Sequence, residues 1–599
     1  MRRVAISWWI ICFFLAVFTG VTSSAQGQQS RLLVIEGGTL IDGTGAAPQQ
    51  NVVIVIEGNQ IQAVGQKGSV SYPSNSEIIQ ADGKFILPGL MDAHCHYRGW
   101  MPELTLAYGV TSVFEIGGGG EWGLAQRDGI ERGKIPGPRL HLVVGSLAGG
   151  RISQLSGRRP GDATLDSRMV VTGAEDARQV TRLIIEAGAD MVKVHRGPPI
   201  EAYRTAVEEA HGAGLPVVVQ PLGPTVYARE AILAGADGIE HAAGVHISIL
   251  KDPAQWKGFG EIEVHSLDPT PFADMDEDKA RELIQLMVER EVWLEPDFIA
   301  VGRGFHKNRD RYDLQVFRVL HNANLAYIPE EGRLRILDTL REFDDLEPEK
   351  QERRQIGYQN MLRFIRQFAE AGGMVLAGTD APGWAVPGLG VHQEMEILVE
   401  EVGFTPMEAI LSATRNPAKG FRVLDQIGTI EAGKLADLII IEGDPLADIR
   451  NTQNLEWVIK DGKVMDRSFH RWFENPLPHQ ENEGQRWLAA LKTITWRTTS
   501  FGQPTPGIEA ILPAVVTEGS PAFTLTIQGM NFTTRSAVDL DGVPLATTLV
   551  SDTELRATIP AELVARVGSF PIAVRNPEPY QDEKFGGISN RAYLLVKFR

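Results

Sequence analysis

From residue 88 to residue 380 the hydrophobic pattern repeats one phrase: a helical stretch ending in glycine, a short apolar run, then polar residues. Tyr108-Gly109 precedes the run at 111–116, and Ala187-Gly188-Ala189-Asp190 the run at 191–195. Ala213-Gly214 precedes 216–220, Ala234-Gly235-Ala236-Asp237 precedes 238–241, and Ala371-Gly372-Gly373 precedes 374–380. Glycine just past a helix takes up the left-handed cap without steric cost, so each phrase predicts a helix end followed by a strand. The runs at 88–96, 139–145 and 292–296 bring the number to eight. Strands that alternate with helices run parallel, and eight such units predict an α/β fold with a closed (β/α)8 TIM barrel over 85–424. An open doubly wound sheet is the alternative.

The flanks read differently. Residues 26–84 carry β-rich runs, Leu32-Leu33-Val34-Ile35 and Asn51-Val52-Val53-Ile54-Val55-Ile56, separated by turn signals such as Asp42-Gly43. Similar runs return at 436–441 and 457–463, which predicts one discontinuous β-sandwich built from 26–84 and 425–475. The connection 298–372 is too long for one helix and patterns as several charged ones, either a lid over the barrel mouth or a solvated excursion. A linker over 476–507 leads to short alternating runs from 508 to 599, the pattern of a separate all-β immunoglobulin-like sandwich.

Composition narrows the setting. A formal charge of -18 argues against nucleic acid or anionic membrane as partner, since phosphate binding needs concentrated Lys and Arg. Arg2 and Arg3, an apolar run over 8–18 and small residues at Ser23 and Ala25 form the pattern of a signal peptide cut after Ala25. The expected location is periplasmic or secreted, without stable membrane insertion after cleavage. Cys12 leaves with the leader, so Cys95 is the one cysteine of the mature chain and stability has to come from packing or metal.

Chemistry concentrates at the strand ends. His94 and His96 stand i, i+2 on the first strand, so both imidazoles point to one face and can reach one ion. The other ends carry Lys193, Gln220, His241 and Asp380, and in parallel barrels these C-terminal ends converge on one mouth. Lys193 as an ammonium ligates nothing, but as a carbamate formed with CO2 it can. Each position also has a plain reading: Lys193 paired with Asp190 or Glu240, His241 a satisfied core histidine, Asp380 a helix N-cap. Their common location favours a site.

The ordered pieces Pro88-Gly89-Leu90-Met91-Asp92-Ala93-His94-Cys95-His96, Gly188-Ala189-Asp190-Met191-Val192-Lys193, Gly238-Ile239-Glu240-His241 and Ala377-Gly378-Thr379-Asp380-Ala381 resemble the amidohydrolase superfamily. Gly428-Thr429-Ile430-Glu431-Ala432-Gly433-Lys434-Leu435-Ala436-Asp437-Leu438 extends the resemblance, which is closest to the branch of imidazolonepropionases and Xaa-Pro-type dipeptidases. The stretch 518–529 resembles an IPT/TIG immunoglobulin-like domain. The resemblance implies a divalent metal, most often Zn2+, held by His94, His96 and Asp380, with carboxylated Lys193 bridging to a second ion that His241 helps bind. It implies Asp380 as the residue that moves the proton and a small-molecule amide or peptide as substrate. The tail is expected to bind carbohydrate or protein.

One position departs from the family pattern. Gln220 stands at the end of strand five, where the family has histidine, and an amide oxygen is a weaker ligand for zinc than imidazole. His195, two residues past Lys193 on the same face, is expected to contact substrate or partly replace the missing ligand, with a plain surface-loop histidine as the alternative. Cys95 faces the other side and packs. The expected function is an exported metal-dependent hydrolase of amide, cyclic amide or dipeptide C–N bonds, with an Xaa-Pro-like dipeptidase as the narrower alternative. A barrel that binds metal or ligand without turnover is the alternative of another class.

Overall fold

The computed structural model describes residues 32–149, 168–223, 225–253, 267–340, 347–477, 506–576, 589 and 591–599. The leader expected at 1–25, most of the 476–507 linker and part of the loop after residue 149 lie outside the described residues.

Seven short strands hold the repeated phrase: β1 (Leu90–Cys95), β2 (Val110–Glu115), β3 (Arg139–Leu142), β4 (Val192–Val194), β5 (Val217–Val219), β6 (Gly238–Glu240) and β7 (Trp293–Glu295). β1, β2 and β3 pair in parallel, as do β4, β5, β6 and β7. Past β3 the backbone kinks at Val144 (φ 58°) into Ser146–Ala148, which pairs in parallel with β4. The eighth run, 374–380, is irregular but continues the ladder. The Leu376 N–H donates to the Leu294 C=O on β7, and the Ala93 N–H of β1 donates to the Ala377 C=O. This is a TIM-barrel-like domain of mixed helices and strands, with the strands' C-terminal ends on one side.

The strand residues are buried on both faces, as a sheet covered by helices requires. Trp293 on β7 is 2% exposed and packs edge-on against Phe421, with ring centroids 5.0 Å apart. Its indole occupies the space beside Gly238 on β6, where an added Cβ would lie 2.0 Å from Trp293 Cε2. Gly238→Ala is therefore expected to lower the unfolding free energy by about 1–3 kcal/mol through overpacking. A lower denaturant midpoint would show this, and an unchanged midpoint would mean that the indole has room to move.

Strands from both sides of the barrel sequence share a sheet. Leu438–Ile441 lies between Phe85–Pro88 and Leu455–Lys460, antiparallel to both. A second sheet holds Leu33–Glu36, Val52–Glu57, Gln60–Gln66 and Glu77–Gln80, and Ile35, Ile54, Ile86, Leu438 and Ile440 fill one core between them. The tail is all-β, with a four-stranded and a five-stranded sheet around its own apolar core. It is not wholly separate from the barrel: Leu595 joins the barrel's core, and Phe598 packs beside Gly129 of helix Gly120–Glu131.

The connection between β7 and the eighth run contains helices Arg309–Leu320, Glu330–Thr339 and Pro348–Glu370. The last is more than a solvated excursion. It buries Tyr358, Met361, Phe364, Ile365 and Phe368 in the main core, one apolar stripe at helical spacing. No helix among the described residues is long and apolar enough to cross a membrane.

Candidate metal centre

Three residues that end barrel runs have positive φ: His241 after β6 (56°), Asp297 after β7 (49°) and Asp380 at the end of the eighth run (51°). Left-handed backbone is uncommon outside glycine, and His, Asp and Asn adopt it most readily. Such conformations cluster at functional sites because surrounding packing has to hold them. Here the Asp380 N–H donates to the His94 C=O at 2.9 Å, fastening the eighth run to β1. Asp92 supports the same junction. Its carboxylate accepts from Thr379 Oγ1 at 2.6 Å and from the His94 N–H at 3.2 Å, and burial pushes its pKa up to about 8.

His94 and Asp380 are buried and His96 is partly exposed. His96 Nε2 lies 2.8 Å from Asp380 Oδ1, and His94 Nε2 lies 3.8 Å from the same oxygen. Gly117 makes room for the second ring, since a Cβ there would meet His96 Nδ1 at 2.2 Å. Glu115 fixes that turn by accepting the N–H groups of Gly117, Gly118 and Gly119 at 3.0–3.1 Å. The opposite side of His94 faces acids: its Nδ1 is 2.9 Å from Glu295 Oε2, 3.5 Å from Glu240 Oε2 and 3.6 Å from Asp297 Oδ2. His241 Nδ1 is 2.6 Å from Asp297 Oδ2, and the His94 and His241 ring centroids are 4.6 Å apart.

The electrostatics follow from burial and from these neighbours. Burial, with His241 and Lys193 nearby, holds the His94 imidazole well below its usual pKa, so it is neutral. Burial also opposes charge on His241, yet the close approach and charge of Asp297 outweigh it and raise that pKa. Burial would raise Asp380, but His96, His94 and His241 together hold its carboxyl below the usual range. Burial raises both Glu295 and Asp297, and the Asp297 charge adds to the rise at Glu295.

Two groups among the described residues place ligand atoms within 4.8 Å of one another: His94, His96 and Asp380; and His94, His241, Glu295 and Asp297. The first fits a zinc ion. Two imidazoles and a carboxylate are a usual zinc donor set, and the buried His94 Nε2 has no hydrogen-bond partner.

The other expected residues are placed as follows. Lys193 Nζ lies 2.9 Å from both oxygens of Glu240, the plain pairing anticipated for it, while Asp190 pairs with Arg127 at 2.7 Å. Gln220 is buried just past β5, its N–H donating to the Val194 C=O. His195 is buried just past β4 and belongs to neither donor group. Cys95 is buried in the main core. Glu295 and Asp297 are absent from the sequence-based expectations. Their signal was available, because they stand i, i+2 at the end of an apolar run just as His94 and His96 do.

The amidohydrolase family model matches residues 85–465, and the IPT/TIG domain model matches residues 506–588. Ochratoxinase of Aspergillus niger is 23% identical over 492 residues, covering 74% of this chain and 88% of that protein. The crystal structure of A. niger ochratoxinase is similar in fold, with a TM-score of 0.53 at 22% identity over 73% of this chain and 96% of that one. A Xaa-Pro dipeptidase with methionine bound in its active site is similar at TM-score 0.50 and 25% identity, over 73% of this chain and 100% of that one.

Proposed function

From the premise that the chain belongs to the amidohydrolase family, carries an IPT/TIG domain and is a hydrolase acting on carbon–nitrogen bonds, we propose that it cleaves small amides, cyclic amides or dipeptides. Xaa-Pro dipeptides are the narrower form of this reading, supported by the likeness to a Xaa-Pro dipeptidase. The observation that carries it is the convergence of His94, His96 and Asp380 around the unpartnered Nε2 of His94. A Zn2+ held there supplies polarisation of the scissile carbonyl and a lowered pKa for the attacking water.

The chain's own groups do the rest. Asp380 is held in its ionised form, with Oδ1 facing His96, so its carboxylate takes the proton of the attacking water and returns it to the leaving amine. The partly exposed His96 marks the side from which substrate enters, while His94 is closed off by Glu295 and Glu240.

Carboxylation of Lys193 belongs to the same reading, in which the carbamate would offer oxygen ligands to a second ion beside His241. The lysine nitrogen adds to the carbon of CO2 and two protons leave, turning a cation into an anion and releasing Glu240 from its pair. Gln220 offers that second position only an amide oxygen, so the first position is the firmer of the two.

We further assign the ring of seven strands and the eighth run to a closed (β/α)8 barrel over 85–424. The small sandwich is 26–84 with 425–475, the linker is 476–507 and the tail is 508–599. Export after cleavage near Ala25 and attachment of the tail to carbohydrate or protein complete the assignment.

A hydrolysis screen tests the function. Zinc-loaded protein is expected to turn over at least one of three sets, N-acyl amino acids, cyclic amides or Xaa-Pro dipeptides, at about 1–10³ s⁻¹. Binding across all three without C–N cleavage would favour a barrel that has lost turnover.

A further inference from the structure

We propose that Glu295, at the end of β7, is a positioning residue that fixes the tautomer of His94, so that this histidine offers its Nε2 lone pair to metal. The inference rests on the metal-hydrolase reading above and deepens it.

The two donor groups share His94, and that overlap decides the matter. A neutral imidazole has one N–H and one lone pair, so His94 cannot ligate one ion through Nε2 and another through Nδ1. Its Nδ1 lies 2.9 Å from Glu295 Oε2, and the matching atom of His241 lies 2.6 Å from Asp297 Oδ2. A carboxylate accepts, so the proton of His94 sits on Nδ1, whereas His241 Nδ1 lies close to Asp297 without an aligned hydrogen bond. The geometry of His94 agrees, because the buried nitrogen without a hydrogen-bond partner is Nε2, on the side of His96 and Asp380.

The second group is thus a supporting layer. Pro296 separates the two acids, and past the strand end the left-handed turn at Asp297 (φ 49°) leaves Glu295 nearest the histidine of β1 and Asp297 nearest that of β6. Metal-binding histidines commonly donate their second ring N–H to a carboxylate, and removing such a partner typically costs 10–100-fold in metal affinity.

The full chain, loaded with zinc, is crystallised and mapped at the zinc edge, and its zinc affinity is measured by chelator competition. The map is expected to place an ion at His94 Nε2 with His96 and Asp380. Glu295→Leu is expected to weaken zinc by about 10–100-fold, and Glu295→Gln to recover most of that, because an amide oxygen still accepts from Nδ1–H. In the cobalt-substituted protein the slowly exchanging His94 Nδ1–H resonance should be present in the wild type and absent in Glu295→Leu.

An ion lodged among Glu295, Asp297 and the two Nδ1 atoms would overturn the inference, as would unchanged zinc affinity in folded Glu295→Leu. Absence of any bound zinc would overturn the metal reading itself. The wild-type map decides even where a variant does not fold.

Discussion

Asp380→Asn is expected to cut kcat by about 10²–10⁴-fold, the range that a positioned acid–base group contributes, while leaving the protein folded. The substitution suits its position. Asparagine has the same shape and adopts positive φ nearly as readily as aspartate, so the 51° backbone and the N–H bond to the His94 C=O persist. Alanine would be a poorer test, since its loss of activity would mix chemistry with strain. What asparagine removes is an ionised oxygen that can hold a proton between water and leaving amine. The loss should fall on kcat rather than KM if Asp380 acts in the transition state. Residual turnover within tenfold of the wild type would assign the proton transfer to another group.

Withdrawing the metal is the second large effect. Dialysis against a chelator is expected to bring turnover to background and zinc to restore it, and the same treatment should lower the unfolding temperature. The reason lies around His94, where Glu240, Glu295 and Asp297 all come within 3.6 Å of its Nδ1 and Asp380 comes within 3.8 Å of its Nε2. Lys193 answers only Glu240. Several buried acids crowded against one neutral imidazole are costly, and an ion bound to the folded state alone stabilises it by roughly 4 kcal/mol at a thousandfold excess over its Kd. Identical unfolding curves with and without zinc would show that protons alone satisfy the pocket.

Much of this was legible in the sequence, for reasons that differ by residue. The glycine caps before 111–116, 191–195, 216–220 and 238–241 mark where helices stop; β4, β5 and β6 fall within their runs and β2 starts one residue before its own. His94 and His96 were visible because alternation on a strand is a local rule. Glu295 and Asp297 share the i, i+2 spacing, but carboxylates are commonly surface residues and an acid at a strand end invites no metal by itself.

Lys193 shows a different limit. Asp190 and Glu240 were both candidates for its partner, and only the arrangement of β4 and β6 across the mouth selects Glu240. The stripe Tyr358, Met361, Ile365 and Phe368 has the spacing of a buried helix face, but the charges around it equally fit a solvated helix. The contact of Phe598 with the helix at Gly129 joins residues far apart in sequence, and no local pattern encodes it.

The pairing of Phe85–Pro88 with Leu438–Ile441 also sets the order of events during synthesis. The first strand leaves the ribosome long before its partner exists, and every barrel strand is made in the interval. Until the later segment arrives, Ile86 has an unfilled neighbour and Phe85–Pro88 presents an open edge. Long-range pairing of this kind folds slowly, and an open edge invites pairing with another chain. For this protein the vulnerable period is the wait for residues 438–441, and a chain terminated before them would release a barrel whose flanking sheet has no centre.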